Sequence, residues 1–419
     1  MKAHREILKN GIRVVAYPTP TESISLIVGV KAGVVNENLK NNGISHFFEH
    51  MAFKGTSKRP TASEISREID EIGAEVNAYT EKDYTEYFVK ARPIHFEKIA
   101  DLLADIIFQG FFSEEEIEKE RNVIFEEEKI GIDDPIIFLE DLFLETLFKG
   151  TTYAYRTIGT RKSLSTIKRK DIFDYRKEYY IAENTIIAVA GKIPEDWKEI
   201  LEENFSGVCR GKPKDIKKQE RKTGKRLVVK KKEMKQANLA LGFPTTGFLK
   251  QDYIEINLLS SILGGSFSSR LYTEIREKRG LAYSVRSFPF YFKETGYLQV
   301  YAGVAQEKVE ETLRIILSEL NKIKKDITEA ELEKGKEQLR SSLVLGFEDT
   351  LRQAGLALRR EIYDLSLFSL EEEIKKIDKV TLEQLFSKAE EIIDFNELNL
   401  TILGPFKDGE KFAKILNTI

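Results

Sequence analysis

Two segments of the 419-residue chain match each other without a gap, and this internal repeat is what most restricts the fold. The first begins at Phe112 and reads FSEEEIEKERNVIFEEEKIGIDDP; the second begins at Ile327 and reads ITEAELEKGKEQLRSSLVLGFEDT. In each, Ser or Thr is followed three residues later by Glu, which is the pattern of a helix capping box. The repeat predicts two structurally similar halves.

The elements around the repeat also follow the same order in both halves. Each half opens with a strand-like apolar segment, at 24–33 and at 237–247, and closes with a strand that ends in glycine, at Gly191 and at Gly404. Helical segments lie between these strands. This order predicts an α+β fold of two duplicated halves, each a mainly antiparallel sheet covered by helices.

A polar and basic segment, CRGKPKDIKKQERKTGKR at 209–226, separates the two halves and has no apolar period. It predicts a linker between an N-terminal domain at 1–208 and a C-terminal domain at 227–419. Its lysines favour a solvated tether over a nucleic-acid-binding patch.

Composition narrows the class of protein. Hydrophobic residues make up 41% and charged residues 32% of the chain, and the net charge is -3, so no overall basic field attracts nucleic acid or an anionic membrane. The single cysteine, Cys209, excludes an internal disulfide and a multi-cysteine metal site. We expect a cytoplasmic protein without a signal peptide or membrane span. Abundant Lys and Glu are typical of a thermophile.

The segment NGISHFFEHMAFKGT at 42–56 holds two of the four histidines. Its apolar residues surround nearly the whole of a predicted helix, so the helix should be buried. His46 and His50 lie one turn apart, a spacing that lets two imidazoles bind one zinc ion. Glu49 lies beside them and can take a proton from a zinc-bound water. The alternative is a pair of hydrogen-bonded core histidines with a buried glutamate.

A catalytic zinc needs a third protein ligand. His4 lies near the N-terminus and His95 opens a helix, where a surface or capping role is more common, so we expect a carboxylate instead. The helix predicted at 113–131 is rich in glutamates. Its apolar face contains Glu120 and Glu127 among four aliphatic residues: Ile117, Val123, Ile124 and Ile130.

We assign Glu127 as the third ligand and Glu120 as a carboxylate that orients a ligand histidine. The second half should lack a metal site. Glu127 aligns there with Ser342, and Glu49 and His50 fall near two leucines, Leu258 and Leu259.

These residues resemble the pitrilysin family of zinc metallopeptidases, in its processing-peptidase-like branch. The resemblance depends on the inverted H-x-x-E-H order of His46, Glu49 and His50 and on EKERNVIFEEE, and it extends to GAEVNAYT and GGSFSSRLYTEIREKRGLAYSV. It implies one zinc per chain and a metal-free second half that faces the zinc across an enclosed chamber. The short GGSFSSRL loop argues against presequence recognition.

The resemblance also assigns roles outside the first helix. Arg276 and Tyr283, seven residues apart, match a pair that holds substrate and stabilises the oxyanion. Taken alone, Arg276 reads as one of several solvated helix charges. Asn77 and Ala78 match an edge strand that pairs with the substrate backbone.

We therefore expect a zinc-dependent endopeptidase that hydrolyses peptides or unfolded segments, with Glu49 as general base. Since one chain carries both the zinc residues and the Arg276/Tyr283 pair, we expect a homodimer; a heterodimer with a related chain is the other possibility. The alternative function is a non-catalytic binding or assembly subunit that keeps the fold.

Overall fold

A computed structural model describes residues 3–214 and 219–418. The chain divides into two compact units, each built from three segments. Unit 1 comprises Met1–Lys129, Tyr155–Lys218 and Val344–Ser369, and unit 2 comprises Ile130–Ala154, Gln219–Leu343 and Leu370–Ile419. Residues 1, 2, 215–218 and 419 lie outside the described part of the chain, so part of the predicted linker does as well.

The strands and helices of residues 3–214 follow the order along the chain that the sequence predicts. The strands are β1 His4–Ile7, β2 Arg13–Pro18, β3 Ile24–Val30, β4 Glu75–Thr80, β5 Thr85–Ala91 and β6 Thr185–Gly191. The helices are α1 Ile44–Ala52, α2 Ala62–Ile72, α3 Phe96–Phe108, α4 Glu114–Asp133, α5 Pro135–Leu147, α6 Arg161–Leu164, α7 Arg169–Tyr179 and α8 Trp197–Phe205.

Residues 219–418 follow a similar order. The strands are β7 Arg226–Lys231, β8 Gln236–Thr246, β9 Ala282–Tyr291, β10 Thr295–Ala305 and β11 Asn399–Gly404. The helices are α9 Tyr253–Gly264, α10 Val309–Lys322, α11 Glu329–Gly346, α12 Thr350–Ile362, α13 Leu370–Lys379, α14 Leu382–Ile392 and α15 Glu410–Leu416.

The two sheets have matching topologies. The sheet of unit 1 has the strand order β1-β2-β6-β3-β5-β4, and the sheet of unit 2 has the order β7-β11-β8-β10-β9. One pair in each sheet is parallel, β2 with β6 and β7 with β11, and the other pairs are antiparallel. The predicted α+β fold of two similar, mainly antiparallel halves is confirmed.

The residue ranges of the compact units do not coincide with the contiguous halves predicted from the sequence. The reason is that one helix of each half packs on the sheet of the other half. Helix α5 packs against β7, β8 and β11, and α12 packs against β2, β3 and β6. A glycine in each central strand makes room. A Cβ on Gly29 would lie 2.6 Å from Leu358 of α12, and a Cβ on Gly242 would lie 2.9 Å from Phe143 of α5.

The C-terminal part of the predicted linker, residues 221–226, contacts other parts of unit 2 and leads into a strand. Strand β7 begins at Arg226, which is the last residue of that segment. The guanidinium of Arg221 binds the carboxylate of Glu397 at 2.5 Å, and the Lys222 amide donates to the carbonyl of Lys149.

Each unit has its own large buried core on one face of its sheet, opposite α12 in unit 1 and opposite α5 in unit 2. Within residues 3–214 and 219–418, no helix combines the length and the apolar character needed to cross a membrane.

Candidate metal centre

Helix α1 begins at Gly43, where the fold requires a residue without a side chain. Gly43 has a left-handed φ of 93°, and a Cβ there would lie 2.6 Å from the carbonyl oxygen of Ile158. The buried carboxylate of Glu37 caps the helix by accepting hydrogen bonds from the backbone amides of Gly43 (2.8 Å) and Ser45 (2.9 Å). Desolvation by burial raises the pKa of Glu37, although these hydrogen bonds oppose the rise.

The apolar side of α1 fixes the direction of its polar side. Phe47, Phe48 and Met51 are completely buried in the core of unit 1. The side chains of His46, Glu49 and His50 keep 18%, 12% and 15% exposure, so they form the one partly open stripe of the helix. The helix is buried as the sequence predicts, but its polar stripe reaches the solvent instead of lying wholly inside the protein.

Helix α4 brings glutamates to this stripe. Glu127 Oε2 lies 3.3 Å from His46 Nε2 and 3.4 Å from His50 Nε2. Glu120 Oε1 lies 2.8 Å from His50 Nδ1, and its other oxygen lies 2.6 Å from Lys54 Nζ. The structure therefore brings together the three predicted metal ligands and the carboxylate predicted to orient one of them.

The buried face of α4 is narrower than predicted. Ile117 and Ile124 are buried as expected, but Val123 is 45% and Ile130 is 64% exposed, so their assignment to the buried face is wrong. The buried guanidinium of Arg121 also lies on the buried face of α4. It donates to the carbonyls of Leu164 and Ile167 and lies 5.3 Å from the Phe47 ring centroid, which ties α4 to α1.

The donor atoms suit a zinc ion. A tetrahedron with Zn–N and Zn–O bonds of about 2.0–2.2 Å has ligand–ligand edges of roughly 3.3–3.6 Å, close to the two separations between Glu127 and the imidazoles. All three donor atoms lie within 4.8 Å of one another, and no second group of this kind occurs among residues 3–214 and 219–418. The Glu127 side chain is 40% exposed, which leaves that side of the site open to water.

The pKa values of the site residues follow from the same contacts. Burial opposes protonation of His46, but the hydrogen bonds that its imidazole donates to Glu127 and Glu49 outweigh this effect and raise the pKa of His46 to about 9. The hydrogen bond with His46 lowers the pKa of Glu127. Burial of Glu120 is outweighed by its bonds to His50 and Lys54, which lower its pKa. These contacts therefore favour a protonated His46 beside ionised glutamates.

Two neighbours of this site were not predicted. The hydroxyl of Thr80, at the end of β4, donates to Glu49 Oε2, and Lys54 binds Glu120. The alternation of strand β4 could have indicated Thr80, because Ala78 and Thr80 share the face that turns towards α1. Lys54 follows His50 by four residues and lies just past the end of α1 at Ala52, near the same polar stripe.

Strand β4, which carries Asn77 and Ala78, forms one edge of the sheet of unit 1. The amide of Ala78 donates to the side-chain oxygen of its neighbour Asn77 at 2.9 Å. A strand that added at this edge could replace that local bond with a backbone hydrogen bond.

Arg276 and Tyr283 meet in unit 2. Arg276 lies in a short π-helical segment, Tyr272–Glu277, and its Nη1 donates to the backbone carbonyl of Tyr283 at 2.6 Å. Its guanidinium carbon lies 5.2 Å from the ring centroid of Tyr272 and 5.5 Å from that of Tyr283. The Tyr283 side chain is 76% exposed, so its hydroxyl is accessible.

Two similar α+β units, one of which carries two imidazoles and a carboxylate with zinc-like spacing, define a zinc-protease-like protein. A model of the insulinase family, peptidase family M16, matches residues 13–161, and a model described as the peptidase M16 inactive domain matches residues 166–339. The uncharacterized zinc protease YmxG of Bacillus subtilis (strain 168) is 34% identical over 404 residues, 96% of this chain and 98% of that protein. The chain belongs to peptidase family M16, and the resemblance to pitrilysin-like enzymes is confirmed.

Solved structures share the fold over nearly the whole chain. A protease from Helicobacter pylori superposes with a TM-score of 0.91 at 27% identity, covering 96% of this chain and 99% of that one. A peptidase M16 inactive domain from Pseudomonas fluorescens has a TM-score of 0.90 at 20% identity, covering 97% and 98% of the two chains, and this similarity is one of fold.

Proposed function

We propose that this protein is a zinc-dependent endopeptidase that hydrolyses peptides or unfolded segments. The observation that carries the proposal is the convergence of His46 Nε2, His50 Nε2 and Glu127 Oε2, with Glu49 on the same helix stripe. Relatives named zinc proteases support zinc as the metal. His46, His50 and Glu127 would hold one zinc per chain, which when bound supplies Lewis-acid polarisation of the scissile carbonyl and of a neighbouring water.

Glu49 acts as the general base and then as the general acid. Its carboxylate accepts a hydrogen bond from Thr80, which limits the directions in which its free lone pairs point. Glu49 takes a proton from the attacking water, and it later gives the proton to the amine that leaves. Glu120 holds the Nδ1 proton of His50, so that Nε2 keeps its lone pair for the metal.

The Arg276/Tyr283 pair stabilises the oxyanion. The phenol of Tyr283 donates a hydrogen bond and the guanidinium of Arg276 adds positive charge, both towards the oxygen that becomes negative during attack on the amide. Two contacts of Arg276, with the Tyr283 carbonyl and the Tyr272 ring, hold the guanidinium beside the phenol in advance of substrate binding.

The substrate binds as an added strand along β4, where Asn77 and Ala78 offer backbone groups. Because one chain carries both the metal residues and Arg276/Tyr283, a homodimer can form two complete sites, each with metal from one chain and Arg276/Tyr283 from the other. A heterodimer with a related chain would do the same at one site. Enclosure of these sites in a chamber would restrict the substrate to peptides and unfolded segments.

The test replaces Glu49 by Gln. We expect Glu49→Gln to keep wild-type zinc content and to lower peptide cleavage by about a hundredfold or more, because the base is gone and the ligands remain. Glu126→Gln, an exposed glutamate on α4, serves as the matched control and should cleave like the wild type.

Two outcomes contradict the proposal. Wild-type turnover by Glu49→Gln would show that another group moves the proton. A wild-type protein that carries one zinc per chain but cleaves none of a broad set of unstructured peptides would favour the alternative function, a non-catalytic binding or assembly subunit.

A further inference from the structure

Unit 2 contains a groove of about 790 Å³ on the face of its sheet that α5 shares. We call it the β9 groove. Its floor is formed by side chains of β8, β9 and β10, and its wall by the first turns of α5; the residues used below are Ile136, Leu139, Glu140, Tyr283, Arg286 and Phe288. A volume of this size is typical of sites that enclose a ligand.

Strand alternation explains why this face is available. The side chains of Val285 and Leu298 point into the large core of unit 2, on the face opposite α5. Because side chains alternate along a strand, Arg286 and Phe288 point to the α5 face. Helix α5 packs there against β7, β8 and β11. Strand β9 is the edge strand at the other side of the sheet, so its exposed residues border the space beside α5.

The carboxylates of Glu140 and Asp134, near the groove, already accept hydrogen bonds within the protein. The two carboxylate oxygens of Glu140 accept hydrogen bonds from the Tyr297 hydroxyl (2.5 Å) and from Gln299 Nε2 (2.9 Å). The carboxylate of Asp134 caps α5 by accepting the backbone amides of Ile136 and Ile137.

Two basic side chains that line the groove, by contrast, are available to bind a ligand. Arg286 and Lys235 both line the groove and are exposed, and within the described part of the chain neither forms an ion pair or a side-chain hydrogen bond. Arg286 lies directly opposite Tyr301 in the β9–β10 ladder. The groove therefore joins an apolar wall, from Ile136 and Leu139, to an available guanidinium.

We propose that the β9 groove binds a substrate segment in which a carboxylate lies beside apolar side chains, and that Arg286 is the specificity-determining residue. The inference rests on the proposed peptidase function, since Tyr283 lines the same groove. A guanidinium pairs with a carboxylate through two parallel N–H···O bonds, while Phe288, Ile136 and Leu139 cover the neighbouring apolar groups. The carboxylate comes either from an Asp or Glu side chain or from the C-terminus of a peptide.

The test measures peptide binding in the Glu49→Gln background, where cleavage does not interfere. Fluorescent peptides are compared in matched pairs that differ only by Glu or Gln at one position, each with a free or an amidated C-terminus, and Kd is measured by anisotropy. Arg286→Gln is the test variant. Arg314→Gln is the control, because Arg314 is an exposed arginine of unit 2 on α10, which packs on the other face of the sheet.

We expect the Glu peptides, or the free C-terminus peptides, to bind about fivefold more tightly than their neutral partners. Arg286→Gln should remove that preference and leave the Kd of the neutral peptides unchanged, while Arg314→Gln keeps it. The pair of peptides that loses its preference identifies the source of the carboxylate.

Equal affinity for charged and neutral peptides, or a preference that survives in Arg286→Gln, would overturn the inference. Because Kd is measured without turnover, these results are independent of whether the wild-type protein cleaves peptides. Matching thermal midpoints of Arg286→Gln and Arg314→Gln would exclude misfolding as the cause of any loss.

Discussion

Glu127 is the residue that decides whether the two imidazoles of α1 form a metal centre. Its Oε2 is the atom that lies near both Nε2 atoms, at 3.3 and 3.4 Å. Two histidines alone leave a zinc ion with too few protein ligands for a catalytic site. The carboxylate also keeps the site open, because it is the most exposed of the three donor side chains.

We predict that Glu127→Gln lowers zinc affinity by about a hundredfold or more, because a neutral amide oxygen replaces a charged ligand. Competition with a chromophoric chelator measures the change. Glu126→Gln, one residue away and 71% exposed, should bind zinc like the wild type. Unchanged affinity in Glu127→Gln would place the metal elsewhere.

The sequence indicates these ligands because helical spacing alone stacks His46 over His50 and places Glu120 two turns from Glu127. It does not indicate which part of the α4 face is buried, since that depends on tertiary partners: Arg121 is buried through its bonds to backbone carbonyls, whereas Val123 and Ile130 are exposed. Thr80 was missed because it reaches Glu49 across the contact between β4 and α1. Glu37 was missed because it caps α1 from the preceding loop, six and eight residues before its partners, and not at a capping-box spacing.

Among the elements, α11 shows how an ionic cap stabilises a helix start. Thr328 and Glu331 form a reciprocal capping box, with the Thr328 amide 2.9 Å from Glu331 Oε2 and the Glu331 amide 3.2 Å from Thr328 Oγ1. Arg270 adds a bond to Glu331 at 2.7 Å. Burial of Glu331 is outweighed by these contacts, which lower its pKa to about 2. The capping box was predicted from the internal repeat and is present.

We predict that Glu331→Gln lowers the free energy of unfolding by an amount that depends on pH. The folded pKa of Glu331, about 2, lies below the ordinary value of 4.5. The carboxylate therefore stabilises the fold above pH ~4.5, and this contribution is lost as the pH falls towards 2. The variant should lose on the order of 2 kcal/mol of unfolding free energy at pH 7, and progressively less below pH ~4.5.

Urea denaturation of wild type and variant over this pH range measures the effect. Glu329→Gln, an exposed glutamate on the same helix, should match the wild type throughout. A difference between Glu331→Gln and wild type that does not depend on pH would contradict an ionic origin.

The helices that cross between halves mark the limit of prediction at this scale. The apolar residues of α5 and α12 identify helices that need a sheet to cover, but a helical pattern does not say which sheet. Which sheet each helix covers depends on how closely the helix can approach the strands. Gly29 and Gly242 allow that approach, because a Cβ at either position would collide with a side chain of the helix. The order of strands and helices along the chain, by contrast, followed from the internal repeat.

At the scale of the whole molecule, the proposed homodimer makes a distinctive prediction. A mixture of Glu49→Gln chains with chains that carry Arg276→Gln and Tyr283→Phe should recover peptide cleavage that neither variant has alone. In a mixed dimer, the intact base of one chain would meet the intact Arg276/Tyr283 pair of the other. Random association predicts about one quarter of wild-type activity, since half of the dimers carry one good site.

Chain mixing after mild denaturation, followed by a peptide assay, measures the recovery. A mixture as inactive as its two components, in a preparation where exchange is verified by a tag, would contradict sites shared between chains. It would leave the metal centre of unit 1 unaffected, because His46, His50 and Glu127 lie within one unit.

Zinc titration of the metal-free protein, read as peptide cleavage, tests the central claim most directly. Cleavage should rise with added zinc and level off at one zinc per chain, because His46, His50 and Glu127 form the one group of metal-binding donors among residues 3–214 and 219–418. Cleavage that is independent of zinc, or absent at every zinc concentration, would contradict a zinc-dependent peptidase.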